Sequence, residues 1–192
     1  MGTLFSLNTD GTGYGTLHNF TGGASDGASP SGSLTLSGAK LYGMTGGGGS
    51  RGEGTIFSMN TDGTGYTLIR SFTGNTSDGG KPYGSLTAFG SKLFGMTNGG
   101  GSGGAGTLFS MNADGTGFVL LESFGGAYTD AGNPYYTDPA LSADGSMLYG
   151  MTTNGGTANK GAVFSETIVP EPTAPLLLVL SGAGLLLRRR RG

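Results

Sequence analysis

The sequence predicts an all-β protein: a β-propeller-like array of four-stranded antiparallel blades forming part of a ring, followed by a short apolar helix at the C-terminal end. Three observations carry this. A unit of 52–55 residues recurs about three times, each unit holds four short strand-like runs, and an Asn-x-Asp-Gly turn sits between the same two runs every time.

The repeat is read by self-comparison. GTLFSLNTDGTGY starts at Gly2, GTIFSMNTDGTGY at Gly54, GTLFSMNADGTGF at Gly106, and a fourth start, GAVFSE, at Gly161. Phe20, Phe72 and Phe124 keep step, as do Pro30, Pro82 and Pro134, and LYGMT at Leu41 recurs at Leu93 and Leu148. The chain has 43 Gly and 7 Pro in 192 residues, a share that without a period signals low complexity. Here the glycine is periodic. The repeat region is residues 1–168, divided into 2–53, 54–105, 106–160 and a partial 161–168.

Within a unit the first run is Lys40 to Thr45, the second Thr55 to Asn60, the third Tyr66 to Phe72 and the fourth Tyr83 to Ala88. Each is rich in Thr, Tyr, Phe, Leu or Ile and bounded by Gly, Asn, Asp or Pro. Asp-Gly supplies the positive φ of a tight hairpin, so the second and third runs are antiparallel neighbours. The third run is apolar on both faces, as expected of a sheet packed between sheets. The chain opens at a second run and stops after GAVFSE, which reads as two whole blades between two partial ones. Either upstream blades are missing or two chains complete one ring, and unpaired edges favour self-association.

The GTLFSxNxDGTGY run, the Ser-Phe or NFTGG run, SDG-x-x-P and LYGMT-x-GGG resemble the GloVer (Gloeobacter–Verrucomicrobia) tandem repeat over about residues 2 to 165. That resemblance implies a propeller-like fold with no established activity, in proteins that often carry surface-anchoring tails. The third unit departs from the pattern at Tyr135-Tyr136-Thr137-Asp138-Pro139, where it is longer.

Residues 169–192 read as an address. Val169-Pro170-Glu171-Pro172 precedes the uncharged stretch Thr173 to Leu187, and Arg188, Arg189, Arg190 and Arg191 follow. As a helix that stretch reaches only ~22 Å, short of a bilayer core of about 30 Å. The arginines mark the cytoplasmic end. Short apolar segment, preceding motif and basic stop are the layout of a processed C-terminal signal. The three parts resemble a PEP-CTERM sorting signal. The resemblance implies an exosortase-type membrane peptidase as partner, a transient inner-membrane stage in a Gram-negative bacterium, and delivery to the outer surface or an exopolysaccharide matrix. An exported body also calls for a signal peptide, yet Met1 runs directly into a repeat strand. A truncated or misassigned start is the expected resolution.

Several chemistries are excluded or weighed at named residues. There is no Cys, and His18 is the single His, so disulfides, thiol catalysis and Cys-rich zinc sites are absent. Residues 1–168 carry six Lys/Arg against eleven Asp/Glu, which disfavours nucleic-acid binding. His18 recurs as Arg70 and Glu122, a pattern expected of a solvated strand position. Asn8 and Asp10, Asn60 and Asp62, and Asn112 and Asp114 overlap half an EF-hand loop but lack its twelfth-position Glu, so a hairpin turn is expected, with weak Ca2+ binding as the alternative. Gly46 to Gly49 and Gly99 to Gly104 lack the Lys-Ser/Thr of a phosphate loop and read as flexible connections. Asp26, Asp78 and Asp130 read as Asx-turn residues or as a rim of carboxylates offered to a sugar or cation.

The expected function is therefore that of an exported surface or matrix repeat protein, a non-catalytic scaffold or interaction module without a cofactor. A carbohydrate- or Ca2+-dependent binding module and a fragment of a propeller enzyme are the alternatives.

Overall fold

Along Thr55–Asn60, Ile56 points to one face of its sheet while Phe57 and Met59 point to the other, because successive strand residues alternate. Both faces are apolar, so the strand is stable only between two other layers. The computed structural model, which describes residues 1–126 and 130–168, provides those layers as four successive antiparallel sheets. Among the described residues there is no helix. The tail expected to form one lies outside the described residues.

Sheet one is Gly2–Ser6 paired with Gly15–Phe20. Sheet two runs Thr35–Ser37, Lys40–Gly48, Thr55–Asn60, Thr67–Ser71, and Gly27–Pro30 joins it along the glycine end of Lys40–Gly48. Sheet three runs Thr87–Phe89, Lys92–Thr97, Thr107–Asn112, Val119–Ser123. Sheet four runs Ala140–Leu141, Met147–Thr152, Ala162–Thr167. The sequence unit and the sheet are out of phase: each four-stranded sheet takes two strands from one unit and two from the next.

The short strands Thr35–Ser37, Thr87–Phe89 and Ala140–Leu141 are the inner edge of their sheets and are joined from one sheet to the next. Ser33 N donates to Ser85 Oγ at 2.8 Å. Thr35 Oγ1 donates to the Leu86 carbonyl, Ser85 N to Asp138, and Thr87 Oγ1 to the Pro139 carbonyl. Partners about one repeat apart place these strands around a common axis, as in a propeller. Asp138, in the lengthened part of the third unit, takes the part that Ser85 plays for Ser33.

The packing between sheets repeats as well. One face of sheet two (Tyr42, Met44, Ile56, with Phe72) meets the opposite face of sheet three (Leu93, Phe109, Met111) in one buried cluster. The equivalent face of sheet three (Phe94, Met96, Leu108, with Phe124) meets Leu148 and Phe164 of sheet four. Leu4 and Phe20 of sheet one meet Phe57 and Met59 of sheet two. Glycine makes room inside each sheet: the register sets Gly43 opposite Phe57, and a Cβ on Gly43 would lie 2.5 Å from that ring.

Two details depart from the sequence reading. The fourth run, expected over Tyr83 to Ala88, is a strand only at Thr87–Phe89. Lys81 adopts φ 56° before Pro82, and Ser29 and Asn133 do the same before Pro30 and Pro134, so the chain turns there before it reaches the inner edge. The glycine stretches are also less free than expected. Gly99–Gly100 pairs with Gly79–Gly80, and Gly48 pairs with Gly27, so each forms a small arm that returns to the Asp-containing loop.

Candidate functional site

The recurring carboxylates lie where the outer strand of a sheet turns inward. Thr21, five residues before Asp26, closes the loop: its N–H and hydroxyl donate to Asp26 Oδ2 at 2.7 and 2.9 Å. Gly27 N donates to Oδ1 at 2.7 Å. From the next sheet the Tyr66 hydroxyl donates to the same oxygen at 2.8 Å, and His18 Nε2 lies 3.1 Å from it. Burial alone would raise the Asp26 carboxyl. The Thr21 N–H outweighs it together with His18, Tyr66 and the Thr21 hydroxyl, and the carboxyl is held far below the ordinary carboxylate range. Burial, then the bond to Asp26, pushes the Tyr66 hydroxyl well above the ordinary tyrosine value.

Asp78 repeats the loop closure with Thr73 N and Oγ1, both at 3.1 Å, and with Gly79 N at 2.8 Å. Phe118 stands where Tyr66 stood and has no hydroxyl. Arg70 supplies the missing donor, its Nη2 3.1 Å from Asp78 Oδ1. Asp130 accepts from Gly125 N at 2.6 Å and Ala131 N at 2.7 Å, and Glu122 occupies the place of His18 and Arg70. The position expected to be a solvated strand site is so at Glu122, which is exposed, but at His18 and Arg70 it is the side of the seam between sheets: His18 stacks on Tyr66 with ring centres 3.8 Å apart, and Arg70 lies on the Phe118 ring.

The three Asn-x-Asp-Gly turns are built alike. Asp10, Asp62 and Asp114 each accept from the backbone and hydroxyl of the Thr two residues on, at 2.9 and 2.7 Å. Asn8, Asn60 and Asn112 each donate their side-chain amide to that same hydroxyl. Gly11, Gly63 and Gly115 have φ of 85°, 86° and 95°, which completes the turn. The Thr contacts hold all three carboxyls below the ordinary range. Among the described residues no group of three or more His, Cys, Asp or Glu could hold a metal ion.

One further cluster was missed in the sequence. Tyr83, Tyr135 and Tyr136 gather at the approach to the inner strands. Their ring centres are 5.0 Å apart for Tyr83 and Tyr135 and 4.2 Å for Tyr135 and Tyr136. Tyr135 and Tyr136 are exposed, and Tyr136 holds φ 53°, an uncommon conformation for a bulky residue. The signal available was that Ser31 is replaced by Tyr at both later positions, Tyr83 and Tyr135, the second of them within the segment that breaks the repeat.

A family model for the Gloeobacter/Verrucomicrobia repeat matches residues 1–167. The chain belongs to that family. No curated protein matches it. Among solved structures it is similar to TolB from Acinetobacter baumannii, at TM-score 0.54 and 14% identity over 89% of this chain and 38% of that one. It is also similar to putative 6-phosphogluconolactonases from Bacteroides uniformis (TM-score 0.53, 14% identity, 88% of this chain and 46% of that one) and Bacteroides fragilis (0.52, 17%, 91% and 46%). The chain spans less than half the length of each of these structures. At such identities the likeness shows the fold, a propeller-like all-β array, and the family member is a repeat module of that architecture.

Proposed function

We propose that this repeat module is a non-catalytic scaffold, exported and placed on the cell surface or in the extracellular matrix by its C-terminal tail. The observation that carries the scaffold reading is the use made of Asp26 and Asp78. Each carboxylate is consumed by loop and seam hydrogen bonds, so the acids that recur with the repeat serve the repeat. The Thr-capped turns use Asp10, Asp62 and Asp114 in the same way. The sorting reading rests on the order of Val169-Pro170-Glu171-Pro172, the apolar segment and Arg188 to Arg191, with an exosortase-type peptidase as partner.

The test is mass spectrometry of the mature C-terminus in a host that has an exosortase, with an export signal fused upstream. Cleavage near Pro170–Pro172 is expected, and deleting those three residues should leave an uncleaved, inner-membrane form. Intact Arg191-Gly192 on surface-released protein overturns the sorting reading.

A second reading, a carbohydrate-binding module, is favoured by the Tyr83, Tyr135 and Tyr136 cluster rather than by the Asp loops, since exposed aromatic faces suit the apolar faces of sugar rings. A glycan array with the unaltered chain and Tyr136→Ala separates it from the scaffold reading. A thermal melt with and without Ca2+ tests the cation alternative at the Asn-x-Asp-Gly turns.

A further inference from the structure

We propose that Tyr135 and Tyr136, backed by Tyr83, are a stacking platform for a neutral polysaccharide of β-linked, gluco-configured pyranose rings, an inference that rests on the binding-module reading above. The argument starts where the repeat is broken. Thr35, Thr87 and Ala140 are equivalent, since they pair with Tyr42, Phe94 and Tyr149 of the three recurring runs. Thr35 stands five residues after Pro30 and Thr87 five after Pro82, but Ala140 stands six after Pro134. One residue is inserted, and with it the third unit gains a second tyrosine.

The insertion is held in a conformation that its side chain opposes. Tyr136 adopts φ 53°, which a glycine would adopt freely. Pro134 and Pro139 are buried on either side, and the Thr137 hydroxyl donates to the Met151 carbonyl at 3.0 Å. Tyr83 lies behind, 5.0 Å from Tyr135 and 5.8 Å from Tyr136 between ring centres. Room for its ring is made at Gly46, where a Cβ would lie 2.4 Å from it; Asn98 and Thr153 stand at the equivalent positions. Tyr135 and Tyr136 remain 42% and 58% exposed. Strain kept at an exposed aromatic ring suits recognition, and a ring already fixed loses little freedom on binding.

The geometry also selects the ligand. The Tyr135 and Tyr136 rings touch, with centres 4.2 Å apart and planes inclined at 62°. They leave no gap to enclose a cation as an aromatic cage does, so a ligand must lie on their outer faces. A pyranose ring with every hydroxyl equatorial presents an unbroken face of axial C–H groups, which fits the negative face of an aromatic ring. Polar partners stand at the edge. The two phenol oxygens are 3.4 Å apart. Asp138 is exposed, and its Oδ1 accepts from Ser85 N. Among the described residues its Oδ2 makes no hydrogen bond and is open to a sugar hydroxyl. The same carboxylate repels an acidic polymer, as does a body with six Lys/Arg against eleven Asp/Glu.

The experiment is calorimetric titration of the full chain with cellohexaose and with the β-1,4-linked glucuronate hexamer, the same skeleton with a carboxylate on each ring. The unaltered chain is expected to bind cellohexaose and not the glucuronate. Tyr136→Gly is expected to weaken binding at least about tenfold while raising the melting temperature, because glycine relieves the positive φ. Tyr136→Phe keeps the ring and should stay within about threefold of the unaltered chain. Asp138→Asn, which can still accept from Ser85 N, should raise the affinity for the glucuronate. Three results overturn the proposal. Cellohexaose bound equally by Tyr136→Gly moves the site elsewhere and leaves the binding-module reading standing. Equal affinity for the two hexamers removes the preference for a neutral chain. Binding of neither hexamer removes the platform, and a glycan array then decides the wider reading: a glycan retained by Tyr136→Gly preserves it, and an empty array ends it as well.

Discussion

The Arg70 guanidinium lies 3.4 Å from the centre of the Phe118 ring while its Nη2 pairs with Asp78. One seam earlier, His18 stacks on Tyr66 and both meet Asp26. These are two solutions to one requirement. A buried carboxylate that ties down a loop needs a donor from its own sheet or from the next one, and it needs a flat group to fill the gap. Where the aromatic ring brings a hydroxyl, an imidazole completes the set. Where it does not, a guanidinium supplies both charge and a planar surface. The second solution carries a cost, since Arg70 Nε is buried without a partner.

The two sets should be exchangeable as units but not piecewise. Arg70→His alone removes the charged donor to Asp78 and is expected to destabilise by about 2 kcal/mol. Phe118→Tyr alone adds a hydroxyl beside a carboxylate already paired with Arg70. The double variant recreates the Asp26 arrangement, so it should recover at least about 1 kcal/mol relative to the sum of the singles. Urea unfolding measures this cycle, and strict additivity would show that the two residues do not act together.

Removing the carboxylates should rank them by the partners each one satisfies. Asp26→Ala and Asp78→Ala strand two backbone N–H groups and a seam donor, and about 3 kcal/mol is expected for each. Asp130 has only its two backbone donors among the described residues, so Asp130→Ala should cost about 1–2 kcal/mol. Equal effects at the three sites, read from urea midpoints, would argue that the seam partners contribute nothing.

Much of this was legible in the sequence because repetition exposes it. The sheet strand Thr55–Asn60 was bounded correctly from the Gly and Asn residues around it, and the Asn60–Gly63 hairpin followed from the need for positive φ. The inner strand was placed too early because Tyr83 to Leu86 has strand composition. Its conformation is set instead by Lys81 and Pro82 and by crowding against the neighbouring inner strand, which one unit cannot report. His18 looked solvated because its equivalents are Arg and Glu. Its partners, Asp26 and Tyr66, come from a loop and from the following sheet, and that proximity is invisible until the sheets are stacked. Tyr83, Tyr135 and Tyr136 were hidden by the same logic, since they meet across two units.

The glycines opposite phenylalanine should tolerate nothing larger. A Cβ at Gly43 meets the Phe57 ring at 2.5 Å, and at Gly95 it meets the Phe109 ring at 2.6 Å. Both rings are fully buried between sheets and cannot move aside. Gly43→Ala and Gly95→Ala are expected to cost about 2 kcal/mol each. Gly150→Ala should cost less, because Phe164 is only partly buried and its sheet has an open side. Pairing Gly43→Ala with Phe57→Leu tests the mechanism: a smaller side chain opposite the new methyl should restore part of the loss, and a double variant worse than either single would rule out a steric cause.

The Asp26–Tyr66 bond predicts stability limits at both ends of the pH scale. The folded-state value of the Asp26 carboxyl is depressed below the ordinary 3.8. Its contribution is therefore fully present above about pH 4 and is lost as the pH falls toward the folded value. The Tyr66 hydroxyl is raised above the ordinary 10.0. Its contribution is present below pH 10 and is lost as the pH rises beyond it, because the unfolded chain then ionises while the folded one resists. Urea midpoints measured from pH 2 to pH 11 should form a plateau with a fall at each end. Asp26→Asn should lower the plateau and flatten the acid limb by an amount on the order of 2 kcal/mol, while leaving the contributions of Asp10, Asp62 and Asp114 in place. Tyr66→Phe should flatten the alkaline limb and leave most of the acid limb intact, because Thr21, Gly27 and His18 still hold the carboxylate. An acid limb unchanged in Asp26→Asn would mean that the buried loop carboxylate does not set the acid stability of the fold.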